Sequence, residues 1–198
     1  MIALGLCDDI KQGIWEFYDA DTPEEMLYRF GAAYALEMRR GLERVRMGSR
    51  EGGKYRERRC RGHFSCKLND SWPKCYCAVI DFFGEGYMPY YATRRGQEPV
   101  LVCFDIRDHI NLWLVNDSAE DIEGTVIFSL FDPIENRFSD TKEVRVEMPQ
   151  GRSDIVMNLD FLQFFRKYKL LHARFVDSRG ITPVSYTHLR AHETKANL

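Results

Sequence analysis

Long hydrophobic runs are missing from this 198-residue chain. No apolar stretch approaches the ~20 residues that a membrane-spanning helix needs, so no membrane partner is expected. An excess of one charge is missing as well: 28 Lys and Arg stand against 30 Asp and Glu, a formal charge of −2. Nothing global therefore favours nucleic acid or an anionic bilayer, and nucleic acid is not expected as a partner. The first residues, MIALGLCDDIKQG, lack a basic n-region, and Asp8-Asp9 interrupts their short apolar part, so they do not read as a signal peptide. Matched cysteine pairs are also absent. Of Cys7, Cys60, Cys66, Cys75, Cys77 and Cys103, only Cys75 and Cys77 stand close together, whereas a zinc knuckle needs two pairs. A chain that is 44% hydrophobic and this long does not need disulfide staples. Buried free thiols, a cytoplasmic location, and no metal or cofactor are the expectation. A thiol-based metal or redox site using Cys66, Cys75 and Cys77 is the rival reading.

What is present is patterned. Residues 22–47 read as a helix: Thr22 caps it, Pro23 fits its first position, and Glu25 completes a capping box. Leu27, Phe30, Tyr34, Met38, Leu42 and Val45 recur at helical spacing, and Gly48 is a stop. The basic run GSREGGKYRERRCR, residues 48–61, reads as a solvated loop. GHFSCKL, residues 62–68, alternates as a strand with Phe64, Cys66 and Leu68 on one face. A loop over 69–77, an apolar segment over 77–82 and a short helix from Met88 to Arg95 follow.

After Pro99 the period changes. Val100–Asp105, Ile110–Asn116, Gly124–Phe131, Lys142–Met148, Ser153–Asn158 and Leu170–Val176 read as strands, separated by turn signals. Short strands at such spacing indicate an all-β sandwich, with a boundary near Gly96-Gln97-Glu98. Residues 159–168 read as a helical turn or crossover. The tail SYTHLRAHETKANL has no strand signal and is similar to a recurrent translated sequencing-adapter artefact, so residues 184–198 are expected to be non-native.

Within this frame, LNDSWPKCYCAVIDFFG, then PYYATRR, then EPVLV resembles the end of the catalytic barrel in family-2 glycoside hydrolases, in their β-mannosidase and exo-β-glucosaminidase branch. The resemblance spans about residues 22–183. It implies a fold made of an α/β barrel remnant, the last strand and helices of a TIM barrel, over residues 1–96. An all-β immunoglobulin-like sandwich over 97–183 would follow. It implies a carbohydrate substrate for a longer parent enzyme, whose earlier barrel and sandwich domains would be partners of this piece. It also puts Asn69, Asp70 and Trp72 on the C-terminal rim of the barrel, where such active sites are built. For Asp70 and Trp72 a local role, as a turn closed by backbone bonds and packed by Trp72-Pro73, stands beside direct sugar contact.

Two departures from the family pattern matter. A tryptophan that lines the sugar subsite is expected where this chain has Cys66. Retaining glycosidases need two carboxylates ~5–5.5 Å apart. In the family these are glutamates in N-E and S-E-F-G-like segments, and neither segment occurs here. Glu16, in IWEFYD, lies too close to the helix at 22–47 to serve as the nucleophile. No catalytic residue is expected in this chain, and hydrolysis by it alone is not expected. The rival class is a non-catalytic carbohydrate- or protein-binding sandwich, which an exposed row of aromatics would favour. Trp113, its only tryptophan, could in strict alternation face the core.

Overall fold

The computed structural model describes residues 21–48, 63–73, 78–106, 109–159, 169–181 and 184–188, the last without their side chains. Glu16, Cys7, Cys60, Cys75 and Cys77 lie outside the described residues, as does the crossover expected at 159–168 apart from Leu159, which ends a strand. The chain divides into two compact units, residues 1–45 with 49–97, and residues 46–48 with 98–198.

The first unit is built on two helices. Helix α1 runs Pro23–Met47. The Thr22 hydroxyl accepts the Glu25 amide at 3.1 Å, while the Glu25 carboxylate reaches back to the Asp21 amide at 3.1 Å, one residue earlier than a standard capping box. Gly48 ends the helix at φ 74°, a left-handed conformation that glycine adopts without a Cβ penalty. Of the expected apolar face, Phe30 and Leu42 are buried and Leu27 is exposed. Glu43 is buried on the same helix, and its carboxylate is met by Arg39 Nε at 2.7 Å. Helix α2 runs Met88–Gly96 with proline in its first turn. A Cβ on Gly96 would lie 3.0 Å from Leu42 Cδ1, so the missing side chain is what lets α1 and α2 come together there.

The strand expected over residues 62–68 does not form among the described residues. Residues 63–68 are exposed and join no ladder; the one bridge in this region is Asn69 with Ile80, parallel. Alternation marks which side chains would share a face, but a strand also needs neighbours to take its N–H and C=O groups.

The second unit is antiparallel throughout. Strands β1 (Val100–Ile106), β2 (Ile110–Asn116) and β5 (Arg152–Leu159) form one sheet in the order β1-β2-β5. Strands β3 (Ile122–Asp132), β4 (Arg137–Met148), β6 (Leu170–Asp177) and β7 (Val184–His188) form the other, ordered β4-β3-β6-β7. The six expected strands are all present; β4 begins earlier than the pattern suggested. Val102, Phe104, Leu112 and Leu114 from the first sheet meet Val126, Phe128, Leu130, Ala173 and Phe175 from the second in one core. The opposite face of β1 and β2 is buried as well: Leu101, Cys103, Trp113 and Val115 cluster with Met47. Each of β1 and β2 therefore reads as a near-continuous apolar run.

Strand β7 corrects the expectation of a tail without strand structure, since Val184–His188 pairs antiparallel with Leu171–Phe175 of β6. Its Val, Tyr and Thr have high β propensity, and the open edge of β6 offers a row of unpaired backbone groups. The chain is mostly β-sheet with two helices among the described residues.

Candidate functional site

The residues expected at the rim lie on one continuous stretch beside a tight turn. The Leu68 carbonyl accepts the amides of Val79 and Ile80 at 3.2 and 3.0 Å, and the Asp70 amide donates to the Ile80 carbonyl at 3.1 Å. Ile80 also bridges Gly86 in the antiparallel sense, and the Tyr87 amide donates to the Val79 carbonyl at 3.0 Å. The turn between them is closed by Asp81: its carboxylate accepts the Glu85 amide at 2.7 Å, and its amide donates to the Glu85 carbonyl at 2.8 Å. Gly84, at φ 88°, supplies the backbone conformation that this tight turn requires.

Asp70 sits at the centre of this assembly with only 2% of its surface exposed. The Tyr87 hydroxyl donates to its Oδ2 across 3.5 Å, a long bond for this pair of atoms. The contact ties the loop after residue 68 to the residue immediately before α2. Sequence reasoning missed Tyr87. Its signal was position alone, one residue ahead of Met88-Pro89.

Asn69, Trp72 and Cys66 have the opposite character. All three face solvent, with Trp72 59% exposed. Cys66 is an exposed thiol, against the expectation of burial, while Cys103 is buried in β1. The exposure of Cys66 follows from the absence of a ladder at 63–68, since no sheet among the described residues covers that face. Phe64 and Leu68 beside it are exposed for the same reason. Phe82 and Phe83, in the Asp81 turn, are exposed too and meet edge to face at 5.3 Å. The stretch thus combines a buried aspartate, whose amide bonds the Ile80 carbonyl and whose carboxylate meets the Tyr87 hydroxyl, with an exposed indole suited to stacking on an apolar ring face. Among the described residues no group of three or more His, Cys, Asp or Glu side chains is placed to hold a metal ion, and no helix is long and apolar enough to cross a membrane.

No family model matches the chain. Curated relatives do. It is 24% identical over 142 residues to β-mannosidase B of Aspergillus terreus, an alignment covering 62% of this chain and 17% of that protein. It is 33% identical over 113 residues to β-mannosidase B of Aspergillus niger, covering 52% of this chain and 13% of that one. Among solved structures, a β-D-mannosidase from Dictyoglomus thermophilum superposes with a TM-score of 0.77 at 17% identity, over 91% of this chain and 21% of its own. An exo-chitosanase from Amycolatopsis orientalis gives a TM-score of 0.76 at 11% identity, over 89% and 21%. The chain thus spans well under two thirds of every one of these proteins. Its fold is shared with a segment of these solved enzymes, and its sequence is similar to part of the curated β-mannosidases.

Proposed function

We propose that this chain is the C-terminal part of a retaining, family-2-type glycoside hydrolase acting on terminal β-linked sugars of the β-mannoside kind. Residues 1–96 would be the last strand and helices of a (β/α)8 barrel, residues 97–183 an immunoglobulin-like sandwich, and residues 184–198 a non-native tail. The observation that carries this reading is that the likeness to the D. thermophilum β-D-mannosidase runs through 91% of the chain, across both units. The exposure of Phe64 and Leu68 supports it, since alternating apolar residues without strand neighbours suit a strand designed for a barrel wall.

In the parent, Asn69 and Trp72 would face the sugar from the barrel rim, and Cys66 would stand where relatives stack a tryptophan. Asp70 would position the loop through Ile80 and Tyr87 and would not touch the sugar. The chain alone should hydrolyse nothing, because both carboxylates that retention requires would lie in earlier strands. The parent would work in the cytoplasm on a carbohydrate, without a cofactor.

The test is to read the genomic DNA upstream of this reading frame. An in-frame continuation through an N-E and an S-E-F-G-like segment is expected, with the full-length product releasing nitrophenol from nitrophenyl β-mannoside or β-glucosaminide. A promoter and start codon directly ahead of Met1 would overturn the reading.

A further inference from the structure

The outward face of the three-stranded sheet is buried by something other than the second sheet. Leu101 and Cys103 on β1 are the cross-strand partners of Val115 and Trp113 on β2, so the four side chains form one patch. They alternate with Val102, Phe104, Leu112 and Leu114, which fill the main core, and therefore point the other way. The residue that joins the patch from outside the sheet is Met47, the last of α1. Within this cluster the Cys103 thiol is fully buried.

Polar links hold the end of the helix in place. Arg46 Nε donates to Asp117 Oδ2 at 2.8 Å, and Arg46 Nη2 donates to the Pro99 carbonyl at 3.1 Å. The Asp117 amide donates to the same carbonyl at 2.9 Å, so the guanidinium grips the point where the chain leaves β2. On β5, Ser153 Oγ donates to the Met47 carbonyl at 3.2 Å. That bond takes up one of the carbonyls a helix end leaves without an intrahelical partner. Residues 46–48 thus group with the β-rich unit, although they continue α1.

This cover is lightly fastened compared with what lies on the other side of the sheet. The inner core joins side chains of both sheets, whereas the helix end brings one apolar side chain, Met47. Its ion pair is half in water, with the Asp117 side chain 51% exposed, and such pairs contribute little. Helix ends fray, and the next residue, Gly48, has no side chain to add a contact. Releasing residues 46–48 parts no strands: β2 keeps its ladders to β1 and β5, and the inner core stays closed. Few buried contacts at an element's end mark a segment that opens before the whole unit does.

We propose that the last turn of α1 is a detachable strap over the β1-β2-β5 sheet. It unwinds and docks again while the sandwich stays folded, and each opening bares the Cys103–Trp113 face. The strap does not depend on the glycosidase reading. The experiment is thiol labelling of the full chain with dithiobis(nitrobenzoate) across a urea series, with Cys103 followed by peptide mass spectrometry. Exposed Cys66 labels at once and serves as the internal standard. Below the global transition, Cys103 should label at a rate that hardly changes with urea, because a strap exposes little surface. Met47→Ala should raise that rate about tenfold or more, and Asp117→Asn, a milder change, by up to about fivefold. Val126→Ala removes packing on the inner side of the sheet and is the control. It should hasten global unfolding and leave Cys103 labelling at low urea unchanged. If Cys103 labels with the full urea dependence of global unfolding down to zero urea, the strap does not open by itself and the proposal falls. Unchanged labelling in both Met47→Ala and Asp117→Asn would also overturn it, because Cys103 would then owe its burial to something else.

Discussion

Replacing Gly124 with alanine should strongly destabilise the β-rich unit. Gly124 lies in β3 between Val146 of β4 and Asp177 of β6. A Cβ built on it would sit 2.2 Å from the Val176 carbonyl oxygen, 2.8 Å from Phe175 Cε2 and 2.9 Å from the Asp177 Cα. An ordinary C···O contact is about 3.3 Å or longer, so the overlap with backbone is roughly 1 Å. Backbone cannot rotate away as a long side chain can. The β3–β6 ladder must open locally instead, at about 1 kcal/mol for each hydrogen bond weakened. Overpacking itself costs about 1–3 kcal/mol, which brings the expected loss to roughly 2–4 kcal/mol. For a unit of about a hundred residues, this lowers Tm by on the order of 10–20 °C. Thermal unfolding followed by circular dichroism measures it. Gly41→Ala is the control: nothing lies within 4 Å of its Cβ position, inside α1, so helix propensity alone should raise stability by up to about 1 kcal/mol. If Gly124→Ala melts within a degree or two of wild type, β3 and β6 do not approach this closely, and the overlap argument fails.

Packing and charge elsewhere in the β-rich unit set three further outcomes. Phe128 is fully buried between the sheets, so Phe128→Ala should cost about 3–5 kcal/mol in denaturant unfolding. The Lys169 ammonium beside Asp132, together with the amides of Glu135 and Ile134, holds its carboxyl down to about 2. Because the folded value lies below the ordinary 3.8, the stabilisation is present above pH 4 and lost as pH falls from about 4 toward 2; Asp132→Asn should flatten the stability curve in that window. Burial, reinforced by Arg174, pushes His172 below its ordinary 6.5, so the unfolded chain takes up the proton first. Stability should therefore decline as pH falls below about 6.5, and His172→Gln should remove that component of the decline.

How much of this was legible depended on whether a pattern was self-sufficient. Helix α1 carries its own start, stop and apolar face, and its observed bounds lie within a residue of the pattern. The strands of the second unit were legible because each alternates or runs apolar by itself between clear turn signals such as Gln150-Gly151, where Gly151 takes φ 66°; their pairing, β2 with β5 and β3 with β6, was not. Residues 63–68 misled because Phe64, Cys66 and Leu68 alternate perfectly well, yet among the described residues no strand forms a ladder with them. The start of β4 was hidden by RFSDT, whose polar residues and bulge break alternation before Lys142. Strand β7 was hidden because its pairing comes from the waiting edge of β6 and not from strong patterning of its own. At the candidate site, Asn69, Asp70 and Trp72 drew notice by type. The sorting of Asp70 to the interior and the other two to the surface is a tertiary outcome, set by Ile80 and Tyr87.

Strand β4 is the longest among the described strands and borders its sheet, with one flank bonded to β3 and no strand among the described residues on the other. Such a border is an invitation to any stray extended chain. Six of its twelve residues are charged (Arg137, Asp140, Lys142, Glu143, Arg145 and Glu147), with signs that alternate along much of the strand. An incoming strand would have to strip water from these groups and would meet like charges in most registers, while the kink at Asp140 spoils a flat approach. The bulge that makes this kink thus guards the sheet against fibrous growth. A crowded solution of this chain should first become sticky elsewhere, at the bare Phe64–Leu68 stretch rather than along its longest strand.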